Sequence, residues 1–268
     1  MQTMKYMAKI AVPALICLLF CIQTAGAQGD SVRLAYRFAP GETTRYLVNM
    51  HAVGDEVVEG IPTPRHYDIE MSSIVRVRCL ESLASGKYKV AVDIESGSLK
   101  SDGKTAEGYT ASTNVKTFII TSDGRFAPEK EGGPALSFGS VESMVFLTVF
   151  PSEPISIGSS WEDDIPLPQN PSIKVKLVFS LVDIRQRVAS IQQKISTPIA
   201  SGISKGSQSG NSNVRIDLDS GKLISSSGTG RSVIMGIINV SSGANAQNTK
   251  PSVSTLTLDT KYSVDRLP

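Results

Sequence analysis

The chain has 268 residues, with 27 Lys and Arg against 25 Asp and Glu and only two His. A net charge of +2 spread this evenly leaves no basic stripe interleaved with aromatics, so the composition excludes an electrostatic nucleic-acid binder. Two of the three cysteines fall before residue 22, which leaves Cys79 alone and rules out an internal disulfide in the rest of the chain.

The first segment sets the compartment. In "MQTMKYMAKIAVPALICLLFCIQTAGAQG", Lys5 and Lys9 precede an apolar run from Ile10 to Ile22, and Ala25-Gly26-Ala27 follows. This is the three-part layout of a secretory signal peptide, residues 1–27, cleaved after Ala27. The run is about 13 residues long, short of the roughly 20 that span a bilayer, so no transmembrane segment is expected after processing. Phe20 stands where a lipid-modified Cys21 would need a small residue, so the mature protein is expected free in the periplasm or medium. Loss of Lys5 and Lys9 leaves residues 28–268 formally neutral. They form a chain long enough to bury roughly 70% of its surface as a single β-rich domain held by packing.

Along that domain apolar residues recur every second position, which predicts half-buried strands. "FAPGETTRYLVNM" turns at Gly41 and opens a strand with Tyr46, Val48 and Met50 on one face. "HYDIEMSSIVRVRCL" sets Tyr67, Ile69, Met71, Val75, Val77 and Cys79 against His66, Asp68, Glu70, Arg76 and Arg78. "KYKVAVDIE" repeats the pattern with Tyr88, Val90, Val92 and Ile94 on the dry face. The short Leu83–Gly86 connection predicts that these two strands pair, which makes their dry faces one surface.

"SVESMVFLTVF" predicts a short helix with Ser140 as N-cap, ending at Pro151. Beyond it, "PISIGSSWEDDIPLP" holds the single tryptophan of the chain. Gly158 makes a tight turn, and Trp161 opens a strand with its indole inward as a structural residue. Asp163 and Asp164 leave toward solvent, and Pro166 and Pro168 stop the pairing. The turns at Gly41 and Gly158, each followed by an aromatic that opens a strand, suggest two similar halves, about 31–130 and 150–268.

"SIKVKLVFSLVDI", "NVRIDLD" and "STLTLDTKYSV" read as later strands, the last with Leu256, Leu258, Tyr262 and Val264 on one face. Ser85-Gly86, Asp102-Gly103, Asp123-Gly124 and Ser220-Gly221 supply the positive φ of hairpin turns. "SGISKGSQSGNSN", "SSSGTG" and "SSGANAQNTKPS" read as surface loops or hairpin tips. The fold class is therefore mostly β: a long antiparallel meander curled into a half-barrel, open barrel or sandwich, with one or two short helices.

"PISIGSSW" resembles the proline, apolar, glycine, any-two, tryptophan signature of exported bacterial proteins in a domain-of-unknown-function family. "LAYRFAPGETTRY" and "RIDLDSGKLISSSGTG" match its tyrosine-rich strand with Pro-Gly-Glu turn and its late strand-turn pair. The general look is similar to the half-barrel of periplasmic lipoprotein carriers and lipid-binding lipoproteins. The family resemblance implies no catalytic residues.

The residues point the same way. His51 and His66 lie on the polar parity of their strands, without the convergent ligands of a metal site or the supported imidazole of a triad. Adjacent Asp163 and Asp164 point apart on a strand, which disfavours a paired acid and base. Cys79 lies on a dry face without a basic neighbour, and so reads as core. "GTGRS" lacks the lysine and strand-to-helix context of a phosphate loop and reads as a hairpin tip.

No catalytic residue, metal or cofactor is expected. The reading that leads is a non-enzymatic exported protein holding a lipid or other hydrophobic small molecule in a concave cleft. Tyr67, Ile69, Met71, Val75, Val77, Tyr88, Val90, Val92 and Ile94 would line it. The alternative is a structural or interaction domain, with an envelope protein as partner and those residues as filled core.

Overall fold

A computed structural model describes residues 31–106, 115–129, 140–146, 148–167, 170–201, 204–241 and 249–268. The expected signal peptide, residues 1–27, and its expected cleavage site lie outside them. The strands are β1 (Thr43–Val58), β2 (Arg65–Leu83), β3 (Lys87–Ser101), β4 (Lys104–Thr105), β5 (Lys116–Thr121) and β6 (Phe126–Pro128). After them come β7 (Ser160–Leu167), β8 (Asn170–Arg185), β9 (Val188–Ser201), β10 (Ser204–Asp217), β11 (Leu223–Ser241) and β12 (Thr249–Arg266). All join one antiparallel, unclosed 12-stranded sheet in the order β6-β5-β3-β2-β1-β12-β11-β10-β9-β8-β7, with β4 hung on β3.

That order is a single meander read in a circle. From β7 each strand pairs the next through β12, which pairs β1, and the walk continues to β6. The one break lies between β6 and β7, and the chain crosses it. Residues 31–38 and 148–155 lace the two edges. Val32 and Ile155 form an isolated antiparallel bridge. The amides of Tyr36 and Phe150 donate to the carbonyls of Ser122 and Asp123. On the β7 side, Trp161 Nε1 donates to the Val149 carbonyl at 2.7 Å, and its ring stacks on Phe179 with centroids 5.3 Å apart. Arg125 Nη2, beside β6, meets Asp163 Oδ1, on β7, at 3.1 Å. With its edges this close, the sheet is rolled around the face that carries the core.

Period-two alternation decides which face that is. Val48, Val75, Val90, Phe118, Leu177, Phe179, Ile191, Val214 and Val264 are fully or almost fully buried, and all point inward. The predicted helix is a 3-10 helix, Val141–Phe146. Its branched and aromatic residues suit a short turn wedged into the rolled sheet better than a free α-helix. Ser140 caps it as expected, its Oγ accepting from the amide of Ser143. This helix packs on β1, β2 and β3 and plugs the interior there, with Met144, Val145 and Phe146 in the core.

The glycine turns stand where the spacing places them: Gly41, Gly86, Gly103, Gly124, Gly158 and Gly221 all have positive φ. One turn carries no glycine signal. Gln186 and Arg187 join β8 to β9 with φ of 49° and 62°. A contact from afar holds that strained pair, since Arg187 Nη2 meets Asp219 Oδ1 at 2.7 Å.

The largest correction concerns the Ser/Gly-rich stretches. "SGISKGSQSGNSN" lies mostly in β10, and both "SSSGTG" and the "GTGRS" read as a tip lie inside β11. These two strands are paired on both sides. Neighbouring backbones satisfy their hydrogen bonds, and small residues let the strands of a tightly rolled sheet approach closely. Residues 242–248 of the third stretch lie outside the described residues. Two smaller corrections fall on β7. Pro166 sits within the strand, opposite Lys174, because an edge strand needs no amide on its free side. Asp163 turns into the seam with its side chain only 11% exposed, whereas Asp164 does reach solvent.

Candidate functional site

The plug divides the inner face. Below it, Val75, Val77, Val90 and Val92 are fully covered by protein, packed with Leu34, Tyr36 and the 3-10 helix in one core. Ile94 is only partly buried, and Tyr88, partly buried as well, sits edge-on to Phe38. Of the nine residues expected to line a cleft, these six lie at the closed end. Met71, Ile69 and Tyr67 point into the open end.

The register shows what they join there. Ile69 faces Ala52, then Thr260, Gly230, Gly210 and Ile195 in one row across five further strands. The next row outward runs from Tyr67 through Gly54, Leu258 and Ser232 to Gln208. The following one holds Glu56, Leu256, Ile234 and Gly206. These rows make a floor of small residues studded with branched apolar ones, and most of them are partly buried. Where the floor meets the plug lies a cavity of about 150 Å3, lined by Met50, Met144, Ile195, Gln208, Thr260 and Tyr262. Gly210 and Gly230 add no side chain there, which keeps the space open.

Polar groups bracket this floor. At its outer end Glu56 accepts from the hydroxyls of Tyr67 and Ser254, each at 2.6 Å. Those two bonds hold the Glu56 carboxyl below its ordinary range, and Glu56 in turn raises the Tyr67 hydroxyl. The Arg65 guanidinium lies 4.7 Å from the Tyr67 ring centroid. At the inner end, Ser212 Oγ donates to Gln193 Oε1 at 3.1 Å on the inner face of the sheet. The Tyr262 hydroxyl is shielded from solvent and has no hydrogen-bond partner.

Both histidines face outward, each with one acid: His51 with Asp68 at 2.8 Å and His66 with Asp55 at 3.0 Å. Among the described residues no three His, Cys, Asp or Glu side chains converge as metal ligands. Cys79 is buried, and burial raises its thiol away from the reactive range. Gly41 and Gly158 hold their turns, and Trp161 is anchored in the seam.

Sequence reading placed Met50, Met71 and Tyr262 on apolar stripes but missed Ile195, Gln208 and Thr260 as their neighbours. Only strand order could bring those together. A second apolar surface went unread as well. Val57, Met235, Ile237 and Val253 are 52, 47, 49 and 46% exposed on the outer face of β1, β11 and β12 at the open end.

No family model matches the chain, and no curated protein matches it. The Gly-x-x-Trp likeness therefore rests on its own motifs. Several solved structures are similar at low identity, three of them as follows. One is a lipovitellin structure described for its lipid–protein interactions, with 8% identity and a TM-score of 0.44 over 87% of this chain and 26% of that one. Another is DynF from the dynemicin biosynthesis pathway of Micromonospora chersina, with 9% identity and a TM-score of 0.22 over 88% of this chain and 85% of that one. The third is a mutant porin of Rh. blastica, with 10% identity and a TM-score of 0.21 over 83% of this chain and all of that one. This chain thus spans about a quarter of lipovitellin. At these scores the likenesses carry nothing about function. Among the described residues, no helix is long and apolar enough to cross a membrane.

Proposed function

We propose that this is a non-enzymatic exported protein that holds a hydrophobic or amphiphilic small molecule, such as a lipid, on the open half of its rolled sheet. The observation that carries the reading is the division of the inner face. The plug fills only the closed half, and the apolar floor continues past it into the cavity at Met50, Met144 and Ile195. A surface that served only as core would be covered along its whole length. The leader supports export, and the lone acid partners of the outward-facing histidines support a protein without catalysis. A half-barrel carrier of the periplasmic kind is the architecture that this reading fits.

The test is extraction. Full-length protein exported from its host is purified gently, then examined by native mass spectrometry and solvent extraction. A co-purifying apolar molecule is expected, and it should be lost in a folded Ile69→Glu, Leu258→Glu variant. Protein that is ligand-free and takes up no 1-anilinonaphthalene-8-sulfonate in the cleft would sink the reading.

One observation favours the alternative, a protein-interaction domain of the envelope: the exposed Val57, Met235, Ile237 and Val253 surface. Under that alternative, substitutions there abolish association while cleft substitutions leave it intact.

A further inference from the structure

The three rows of the open floor carry charge at one corner only. Arg65 faces Glu56 in the outermost row, and alternation along β2 puts it on the inner face with Tyr67 and Ile69. Lys104 extends the innermost row, since it pairs with Ser101, which faces Ile69. Every other member of those rows is uncharged.

The charges at this corner are not equally engaged. Both oxygens of Glu56 already accept, one from Tyr67 and one from Ser254. Asp102, in the turn before Lys104, accepts from the Asp68 amide and the Ser101 hydroxyl. Arg65 and Lys104 are exposed, and among the described residues neither has a carboxylate at ion-pair distance. Yet the Arg65 guanidinium has a fixed seat. It lies 4.7 Å from the centroid of the Tyr67 ring, and the bond from Tyr67 to Glu56 holds that ring in place. A guanidinium stacked by one face keeps its N–H edge for a second partner, and that edge matches a carboxylate or phosphate.

We propose that Arg65 reads the head of the ligand, and that the ligand is an anionic amphiphile. Its carboxylate or phosphate sits at the mouth of the cleft and its apolar chain lies on the floor. This rests on the reading of the cleft as a ligand site and names the class of ligand. Charge favours an anion, because two unpaired cations stand beside one acid whose oxygens are occupied. Geometry sets the direction. From Arg65 to Met71 the strand rises about 20 Å, at about 3.4 Å per residue, which leaves room for a whole acyl chain. That chain runs inward past Leu258 and Ile69 toward the cavity at Met50, Met144 and Ile195. The exposed head keeps its water while the chain leaves it, so no charge is buried.

The test uses probes of one chain length: laurate, dodecyl phosphate, dodecanol and dodecyltrimethylammonium. Each is bound to wild type and to Arg65→Gln by displacement of the uncharged dye N-phenyl-1-naphthylamine. At low salt the two anions are expected to bind wild type more tightly than dodecanol. Arg65→Gln should weaken both anions by about 3- to 10-fold, the worth of a partly hydrated charged contact, and should leave dodecanol unmoved. Salt should narrow the same gap in wild type, since an exposed pair is screened. A tighter hold on dodecyl phosphate would mark a phospholipid as the source, and a tighter hold on laurate a fatty acid; either supports the proposal. Equal affinity for laurate and dodecanol at low salt would overturn it, leaving the cleft standing without a head site. A loss of dodecanol along with the anions in Arg65→Gln would overturn it too, because Arg65 would then shape the floor and not read the head. So would tightest binding of dodecyltrimethylammonium with its loss in Glu56→Gln, which would make the mouth a cation site. If none of the probes binds wild type, the cleft reading falls first and takes the head assignment with it.

Discussion

The two ends of this rolled, unclosed sheet serve opposite purposes. At the closed end β1, β2, β3, β8 and β9 meet the N-terminal segment and the 3-10 plug, and their inward side chains are almost fully excluded from water. At the open end β1 and β2 continue beside β11 and β12, and inward residues such as Ile69, Ile234, Leu256 and Leu258 are only partly buried. Composition follows the division. The closed end takes Phe, Leu, Ile and Val, and the open end is thinned with Gly, Ser and Thr. Stability therefore resides at one end, and the room to bind at the other.

Truncation across the division gives the largest expected effect. Phe179→Ala and Trp161→Ala should each cost about 3–5 kcal/mol, as large aromatic core residues do, read as a shift in the denaturant midpoint. Trp161→Phe keeps the stack on Phe179 and loses the bond to the Val149 carbonyl, so about 1 kcal/mol is expected. Leu258→Ala at the open end should cost no more than about 1 kcal/mol. Equal losses at Phe179 and Leu258 would erase the distinction between the ends.

A smaller effect is expected where the open end is rolled tightest. A Cβ built on Gly54 would fall inside the carbonyl of Thr257 on β12. Gly54→Ala must push two central strands apart, which should cost about 1–3 kcal/mol. Its effect on probe binding should exceed its effect on melting, because the cleft floor is what moves.

The plug joins the two ends, and its anchor is an ion pair: Lys116 Nζ meets Glu142 Oε1 at 2.6 Å. Burial alone would raise the Glu142 carboxyl, but the hydrogen bond from Lys116, with further help from the backbone and Ser140, leaves it lowered. A lowered carboxylate contributes stability above its unfolded pKa, near 4.5, and that contribution disappears as pH falls through the folded value. Glu142→Gln should cost about 1–3 kcal/mol at pH 7 and should flatten the loss of stability below pH 4.5. A variant with the wild-type acid profile would show that the plug is held by apolar contact alone.

The closed end was legible in the sequence, and the open end only along β2 and β12. Strands such as Arg65–Leu83 and Lys87–Ser101 alternate cleanly because one side is dry and the other wet, and that difference is written in every second residue. β10 and the start of β11 carry Ser, Gly and Asn where an ordinary strand carries branched residues, so local propensity speaks for loops. Pairing on both sides overrides it. The Gln186–Arg187 turn hid for the same reason, its conformation being held by Asp219 from another hairpin. The cavity draws Met144 from the plug and Ile195, Gln208 and Thr260 from three strands, a meeting that depends on sheet order.

The smallest effect is expected on the outer face of the open end. Val57, Met235, Ile237 and Val253 project away from the core, and each is about half-exposed. Met235 and Val57 both sit opposite Thr255, and Ile237 sits opposite Val253, so the four form one patch across β11, β12 and β1. Side chains that bury little in the folded state contribute little to it. Met235→Ser with Ile237→Ser should therefore change stability by no more than about 0.5 kcal/mol. The same variant should adsorb less to apolar media and self-associate less at high concentration, since it removes exposed apolar area. A drop of several kcal/mol would mean that the patch is covered in the folded protein. The open end would then be a second packed layer, and the contrast between the two ends would fail.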